Sequence, residues 1–82
     1  MCTNIATTTR IIGSAKTGTG WAGVTEATVG YDHATHLWTE HALRIDFVGE
    51  DRAAVELDLA SARALRDTIS EVIAQAEGSG VI

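Results

Sequence analysis

The sequence has little of several features that would point to a particular class of protein. Cys2 is the only cysteine, so an intramolecular disulfide is impossible. Six Lys and Arg stand against eleven Asp and Glu, for a formal net charge of −5; this argues against nucleic acid as the main partner, because phosphate binding needs clustered cations. The longest apolar run is far shorter than the roughly 18 residues of a membrane span, and the N-terminus lacks the pattern of a signal peptide. We therefore expect a cytoplasmic protein that binds neither nucleic acid nor membrane.

The chain is also short and poor in aromatic residues. Its 82 residues predict one domain covering 1–82. A chain of this length buries only about 60–65% of its unfolded surface. Trp21, Tyr31, Trp38 and Phe47 are the only aromatic residues, so branched aliphatic residues and alanine must fill most of the core. Oligomerisation or a bound metal is a common supplement to stability at this size.

Four segments have the composition of β-strands. They are 5–12, 21–31, 41–48 and 52–57, with β-branched residues or alternating apolar and polar positions. The segment 13–20 is rich in Gly, Ser and Thr and predicts a loop. Lys16 precedes two of its three glycines, unlike the lysine of a P-loop, so a plain hairpin connection is favoured over phosphate binding.

The C-terminal part of the sequence predicts one helix. Asp58 is a good N-cap, and the helix should run to about Glu77, with Gly78 ending it in the left-handed conformation. Apolar residues recur at spacings of three and four, at Leu59, Ala62, Leu65, Ile69, Val72, Ile73 and Ala76. We predict an α+β fold, β-β-β-β-α, with a four-stranded antiparallel sheet and the helix on one face. Leu65 and Ile69 should be buried there. Unprotected sheet edges and uncovered apolar surface favour a homo-oligomer.

The residues with the most chemistry lie between Tyr31 and His41. All three histidines, His33, His36 and His41, fall within nine positions there, in the pattern His-x2-His-x4-His. If strands two and three form a hairpin, His41 lies at the rim of the core and the other two lie in the loop above it. The three imidazoles could then converge on one divalent metal such as zinc, iron or copper.

Other residues of the same stretch have possible roles in catalysis. Asp32 or Glu40 could be a fourth ligand or could orient a histidine. Tyr31, Asp32 and Glu40 are the candidates for acid–base work. The alternative is that the histidines are solvated or structural, since His-x2-His recurs by chance.

Two further residues leave alternatives open. Trp38 either folds back as a lid on the small core, which we favour, or is exposed in the loop as a recognition residue. Cys2 is either a small hydrophobe, which is favoured, or a soft ligand or nucleophile close to the histidines.

Several segments together resemble a family of short bacterial proteins of unknown function. They are the start Met1-Cys2-Thr3, the Gly13-Ser14-x-Lys16 segment, the Gly20-Trp21 pair, and the run from Tyr31-Asp32-His33 through His36 and Glu40-His41-Ala42-Leu43 to Ile45-Asp46-Phe47. The resemblance covers nearly the whole chain and implies no mechanism. Similar proteins often carry a proline after Tyr-Asp-His, where this chain has Ala34.

Two hypotheses about function follow. The first is a small oligomeric protein with a metal site on His33, His36 and His41, which would allow a metal-dependent enzyme acting on a small molecule. The second is a non-enzymatic homo-oligomeric binding or accessory module without metal, in which the histidine stretch is part of an interface or of a small-ligand pocket.

Overall fold

A computed structural model describes residues 5–80 of the chain and confirms the predicted fold class. Four strands are followed by one helix: β1 (Ile5–Thr17), β2 (Gly20–His33), β3 (His41–Gly49), β4 (Arg52–Leu57) and α1 (Leu59–Gly78). The strands form one sheet in the order β1-β2-β3-β4, and each neighbouring pair is antiparallel. The two hypotheses for Cys2 concern a residue outside the described range.

The first hairpin is longer and tighter than the sequence predicted. Residues 13–17 belong to β1 rather than to a loop, and they pair with residues 20–24 of β2. Only Gly18 and Thr19 form the turn. Thr17 stabilises it, since its hydroxyl donates to Gly20 O at 3.2 Å and accepts from Thr19 N at 3.3 Å. The predicted loop over 13–20 is therefore wrong: small polar residues are compatible with a strand that has a full hydrogen-bonding partner.

The two hairpins that include β2 each carry an irregularity at Thr25. On one side, Arg10 pairs with Glu26 and Gly13 with Val24, so two residues of β1 lie opposite Thr25. On the other side, Val24 pairs with Gly49 and Glu26 with Val48. Such bulges bend a strand and redirect its side chains.

Gly49 lies where two backbones approach closely. A methyl group on its Cα would overlap Gly23 O and the Cα of Val24. Next to it, Glu50 bonds β2 twice: its backbone N donates to Gly23 O at 2.9 Å, and its Oε1 accepts from Gly23 N at 2.6 Å. The end of the β2–β3 hairpin distant from the histidines therefore requires glycine at position 49.

The two faces of the sheet differ in chemistry. Cross-strand partners share a face, so Val29, Ile45 and Val55 lie on one side, as do Leu43 and Leu57. The opposite face carries the pair Arg44 and Glu56. The buried apolar residues of the described chain are small or medium in size, namely Val24, Ala27 and Ala42.

The helix begins as the sequence predicted and ends slightly later. Asp58 is its N-cap, and Ser61 N donates to Asp58 Oδ1 at 2.7 Å. Gly78 is still helical and Ser79 is the C-cap. The left-handed glycine after the helix is Gly80, with φ 75°, so the left-handed conformation predicted for Gly78 is wrong.

The helix contacts the sheet along β3 and β4, yet its apolar stripe remains open to solvent. No residue of α1 is buried. Leu65 is 41% exposed and Ile69 is 50% exposed, and Val72 farther along is 57% exposed. The prediction that Leu65 and Ile69 are core residues is therefore wrong for a single chain, because one helix laid over two strands leaves its stripe half uncovered.

Candidate functional site

The histidine stretch forms the loop between β2 and β3, and its two ends are joined directly. His33 ends β2, His41 begins β3, and the two are cross-strand partners. Immediately beyond them, Ala34 N donates to Glu40 O at 3.1 Å and closes the base of the loop. The predicted hairpin is thus present, with residues 34–40 projecting from the end of the sheet.

His33 and His41 are brought together as stacked rings. Their ring centroids are 4.7 Å apart, with 23° between the ring planes. Tyr31 also stacks on His41, with a centroid distance of 5.5 Å and 17° between the ring planes. The three rings form a row on the face that also carries Leu43 and the helix.

His36 lies elsewhere, bound to β4 through Glu56. His36 N donates to Glu56 Oε1 at 2.9 Å, and the His36 Nδ1 lies 2.9 Å from Thr35 Oγ1. Glu56 belongs to the face opposite that of His33 and His41. Within residues 5–80, no three His, Cys, Asp or Glu side chains form a group that could hold a metal ion. Of the three predicted ligands, His33 and His41 therefore lie together, whereas His36 contacts Thr35 and Glu56 instead.

The residues proposed for acid–base work do not form a common site. Tyr31 lies in the row of rings, whereas the neighbouring position, Asp32, faces the other side of the sheet. The Asp32 carboxylate accepts from His33 N at 2.7 Å. The Glu40 side chain is exposed at the base of the loop. Acid–base catalysis by these three groups stays a prediction.

Glu56 is the residue that positions the loop, and the sequence analysis did not identify it. Its side chain is only 9% exposed. The hydrogen bond from the Thr35 hydroxyl, followed by that from the His36 backbone, holds the pKa of Glu56 below its ordinary value. Arg44 Nη1 lies 3.4 Å from Glu56 Oε2, and Arg44 Nε lies 3.0 Å from Asp46 Oδ2. The only sequence signal was a carboxylate on a short strand, opposite an arginine.

Trp38 at the tip of the loop is fully exposed, at 104%. The lid interpretation is therefore wrong for the single chain. The loop bends toward β4 and Glu56 rather than over the core, which leaves the indole without apolar surface to cover. The exposed-residue alternative is the one that the structure shows.

A second feature is an open apolar groove between α1 and the sheet, with a volume of about 500 Å³. Its walls are mostly aliphatic, with two arginines and a serine contributed by the helix. The lining residues are Val29, Leu43, Ile45, Leu57, Leu59, Ala62, Arg63, Leu65, Arg66, Ile69 and Ser70. Four of them, namely Leu59, Ala62, Leu65 and Ile69, belong to the apolar periodicity that predicted the helix, but periodicity alone does not show whether other residues cover a stripe.

These features define a small α+β protein with an antiparallel β-meander, a C-terminal helix and an open helix–sheet groove. Residues 1–81 match the family of unknown function DUF6295, and the chain belongs to that family. The predicted membership of a family of unknown function is thereby confirmed. No curated protein and no solved structure matches the chain significantly. No helix within residues 5–80 is long and apolar enough to cross a bilayer.

Proposed function

We propose that the protein is a non-enzymatic binding module that works as a homodimer and takes up a small apolar molecule with an anionic group. The apolar groove between α1 and the sheet carries this proposal. Its volume of about 500 Å³ falls in the range of about 300–1,000 Å³ that is usual for small-molecule sites. Apolar walls with a few polar groups at one side are also typical of such sites.

The anionic group is proposed because the polar side chains of the groove include two cations. Arg63 and Arg66 line it from the helix. Arg66 Nε also lies 3.0 Å from Asp67 Oδ1, which leaves the other guanidinium nitrogens available to a ligand. Guanidinium groups bind carboxylates and phosphates through paired hydrogen bonds. A carboxylate-headed alkyl chain suits both the walls and the rim.

Dimerisation is proposed because the single chain is too open for a folded monomer. It exposes 6345 Å², against about 4,700 Å² expected for a monomer of 8.6 kDa. The Cα radius of gyration is 14.5 Å, against about 12 Å expected for this length. The excess surface exceeds the roughly 800 Å² that each partner buries in a standard interface.

The two parts of the proposal share Ile69, which lines the groove and is half exposed on the same stripe, and otherwise use different residues. Val72 and Ile73 continue the apolar stripe beyond the groove, and they are 57% and 49% exposed. A second copy would cover this outer part of the stripe. The three-histidine metal enzyme has less support, since His36 is bound to Glu56 on the opposite face.

Ligand binding is tested by titrating the full chain with decanoate and with decanol while following methyl NMR signals of Leu43, Ile45 and Ile69. We expect decanoate to bind more tightly than decanol. Arg63→Gln with Arg66→Gln should weaken decanoate about tenfold or more, the value of a charge-assisted hydrogen bond, and leave decanol unchanged. Ala62→Phe should fill the groove and abolish both. Equal shifts in wild type and in Ala62→Phe would show that the ligand binds elsewhere.

Dimerisation is tested separately by sedimentation velocity. The wild type should sediment as a dimer, and Val72→Asp with Ile73→Asp should give a monomer, because buried unpaired carboxylates oppose association. Ala74→Asp is the matched control, since position 74 lies on the far side of the helix. A wild type that sediments as a monomer at all concentrations contradicts this part of the proposal.

A further inference from the structure

We infer that His33 and His41 form a two-histidine site for a divalent transition metal, independent of His36 and of the groove. The strand pairing places the two side chains next to each other. His33 and His41 are direct cross-strand partners. The hydrogen bond from Ala34 N to Glu40 O marks the next pair, 34 with 40, as hydrogen-bonded. Pairs alternate along an antiparallel ladder, so His33 and His41 occupy a non-hydrogen-bonded position, where facing side chains are closest.

The ring separation suits two ligands of one ion. Two imidazoles that bind an ion at 2.0–2.1 Å on adjacent coordination positions have centroids about 4.5–5 Å apart. The observed separation is 4.7 Å. The rings are stacked with 23° between their planes, so they must turn about their Cβ–Cγ bonds to direct one nitrogen each at the ion. Because the spacing already matches, this rotation requires no movement of either strand.

The surroundings hold the pair in place. Both histidines belong to strands rather than to the loop, and Tyr31 stacks on His41 at a centroid distance of 5.5 Å. Ligands on strands are positioned better than ligands on loops. Asp32 and Glu56 face the other side of the sheet, so water would complete the coordination of the ion.

The donor atoms decide the class of ion. Neutral imidazole nitrogen suits zinc, copper and nickel, whereas calcium and magnesium prefer oxygen. A site with two protein ligands exchanges its ion more readily than a structural zinc site with four. We therefore expect reversible binding of one ion per chain.

The test is isothermal titration with NiCl2 of the full chain, made without an affinity tag and in a Cys2→Ser background that removes the thiol as a competing ligand. The chain should bind one nickel ion, more weakly at acid pH, because imidazole must be neutral to coordinate. His33→Ala or His41→Ala should each weaken binding about 100-fold, the loss of chelation by a paired ligand. His36→Ala is the matched control and should leave affinity unchanged within about twofold. Circular dichroism checks that each variant is folded.

The possible outcomes separate the alternatives. Equal losses in His33→Ala, His41→Ala and His36→Ala would replace the two-histidine site by the three-histidine site. No binding by the folded parent chain, or binding that survives His33→Ala, would overturn the inference. Neither result bears on the groove, since the ligand titration with decanoate uses other residues.

Discussion

Thr35 and Glu56 join the histidine loop to the last strand of the sheet. The Thr35 hydroxyl donates to Glu56 Oε2 at 2.6 Å, and Thr35 N lies 3.3 Å from Oε1. These bonds span 21 positions in the sequence. Together with His36 N at 2.9 Å from the same carboxylate, they fix the direction in which the loop leaves the sheet. The position of His36 therefore depends on Glu56, which lies twenty residues later in the sequence.

Glu56→Gln should loosen the loop while leaving the sheet intact. The neutral amide accepts more weakly than a carboxylate and cannot pair with Arg44, so the amides of Thr35 and His36 should exchange with solvent faster. We expect an acceleration of about tenfold or more for these two amides, the effect of losing a charge-assisted hydrogen bond. Glu77→Gln, an exposed change far along the helix, is the control. Unchanged exchange at Thr35 in Glu56→Gln would contradict the anchoring role.

The stability of the protein should fall on acidification. The pKa of Glu56 lies below its ordinary 4.5 because of hydrogen bonds from Thr35 and His36. The pKa of Asp58 lies below 3.8 because of hydrogen bonds from Ser61. A folded-state pKa below the unfolded value adds stability at pH above the unfolded pKa, and that stability is lost as pH falls through the folded pKa. Urea midpoints should therefore be flat near neutrality and decrease below about pH 4.5. Glu56→Gln should decrease less steeply, and an identical slope would contradict the assignment to Glu56.

Gly49→Ala should be among the most damaging small substitutions in the chain. The added methyl group meets the backbone at Gly23 and Val24, which cannot rotate away as a side chain can. Overpacking of this kind costs about 1–3 kcal/mol. Gly18→Ala is the matched control, because a Cβ there meets nothing within 4 Å. Urea unfolding of both variants measures the difference, and equal midpoints would show that the strands can move apart at little cost.

The sequence predicted the strands and the helix well, but it predicted poorly which apolar surfaces are buried. The strand alternation from His41 to Val48 and the cap at Asp58 are local patterns, and both are present in the structure. The extension of β1 through Thr17 depends on pairing with residues 20–24, which is a property of two segments rather than of one. The same distinction applies to the stripe of α1: its periodicity is local, but its exposure depends on how far the helix reaches over the sheet.

The candidate site shows the same limit. The spacing alone was compatible with convergence of His33, His36 and His41 on one point. His33 and His41 do lie together across the hairpin. It could not show that Glu56 binds Thr35 and His36, because nothing near position 36 marks that partner. Hydrogen bonds between distant positions therefore decided which histidines meet.

Trp38→Ser should leave the stability of the single chain almost unchanged. The indole is fully exposed, and surface substitutions of this kind usually stay within about 0.5 kcal/mol. Thermal melting at low protein concentration provides the measurement. Phe47→Ser, at a half-buried position on the helix-side face of β3, serves as the contrasting variant and should lower the melting temperature clearly. A large loss in Trp38→Ser would mean that the side chain packs on the protein after all.

Ile69→Ala should destabilise the protein in a manner that depends on protein concentration. In the single chain Ile69 is half exposed, so its truncation alone should cost less than the about 2–4 kcal/mol typical of a buried aliphatic residue. If a second copy covers the stripe, folding is coupled to association, and the wild-type melting temperature should rise across about a hundredfold range of concentration. The melting temperature of Ile69→Ala should then be lower than that of the wild type. The difference should be largest at the protein concentrations at which the wild type is dimeric. Thr68→Ala, a neighbouring truncation beside the stripe, should follow the wild type at every concentration. A deficit for Ile69→Ala that stays constant over the whole range, with a wild-type melting temperature that does not move, would show that the stripe of α1 remains uncovered.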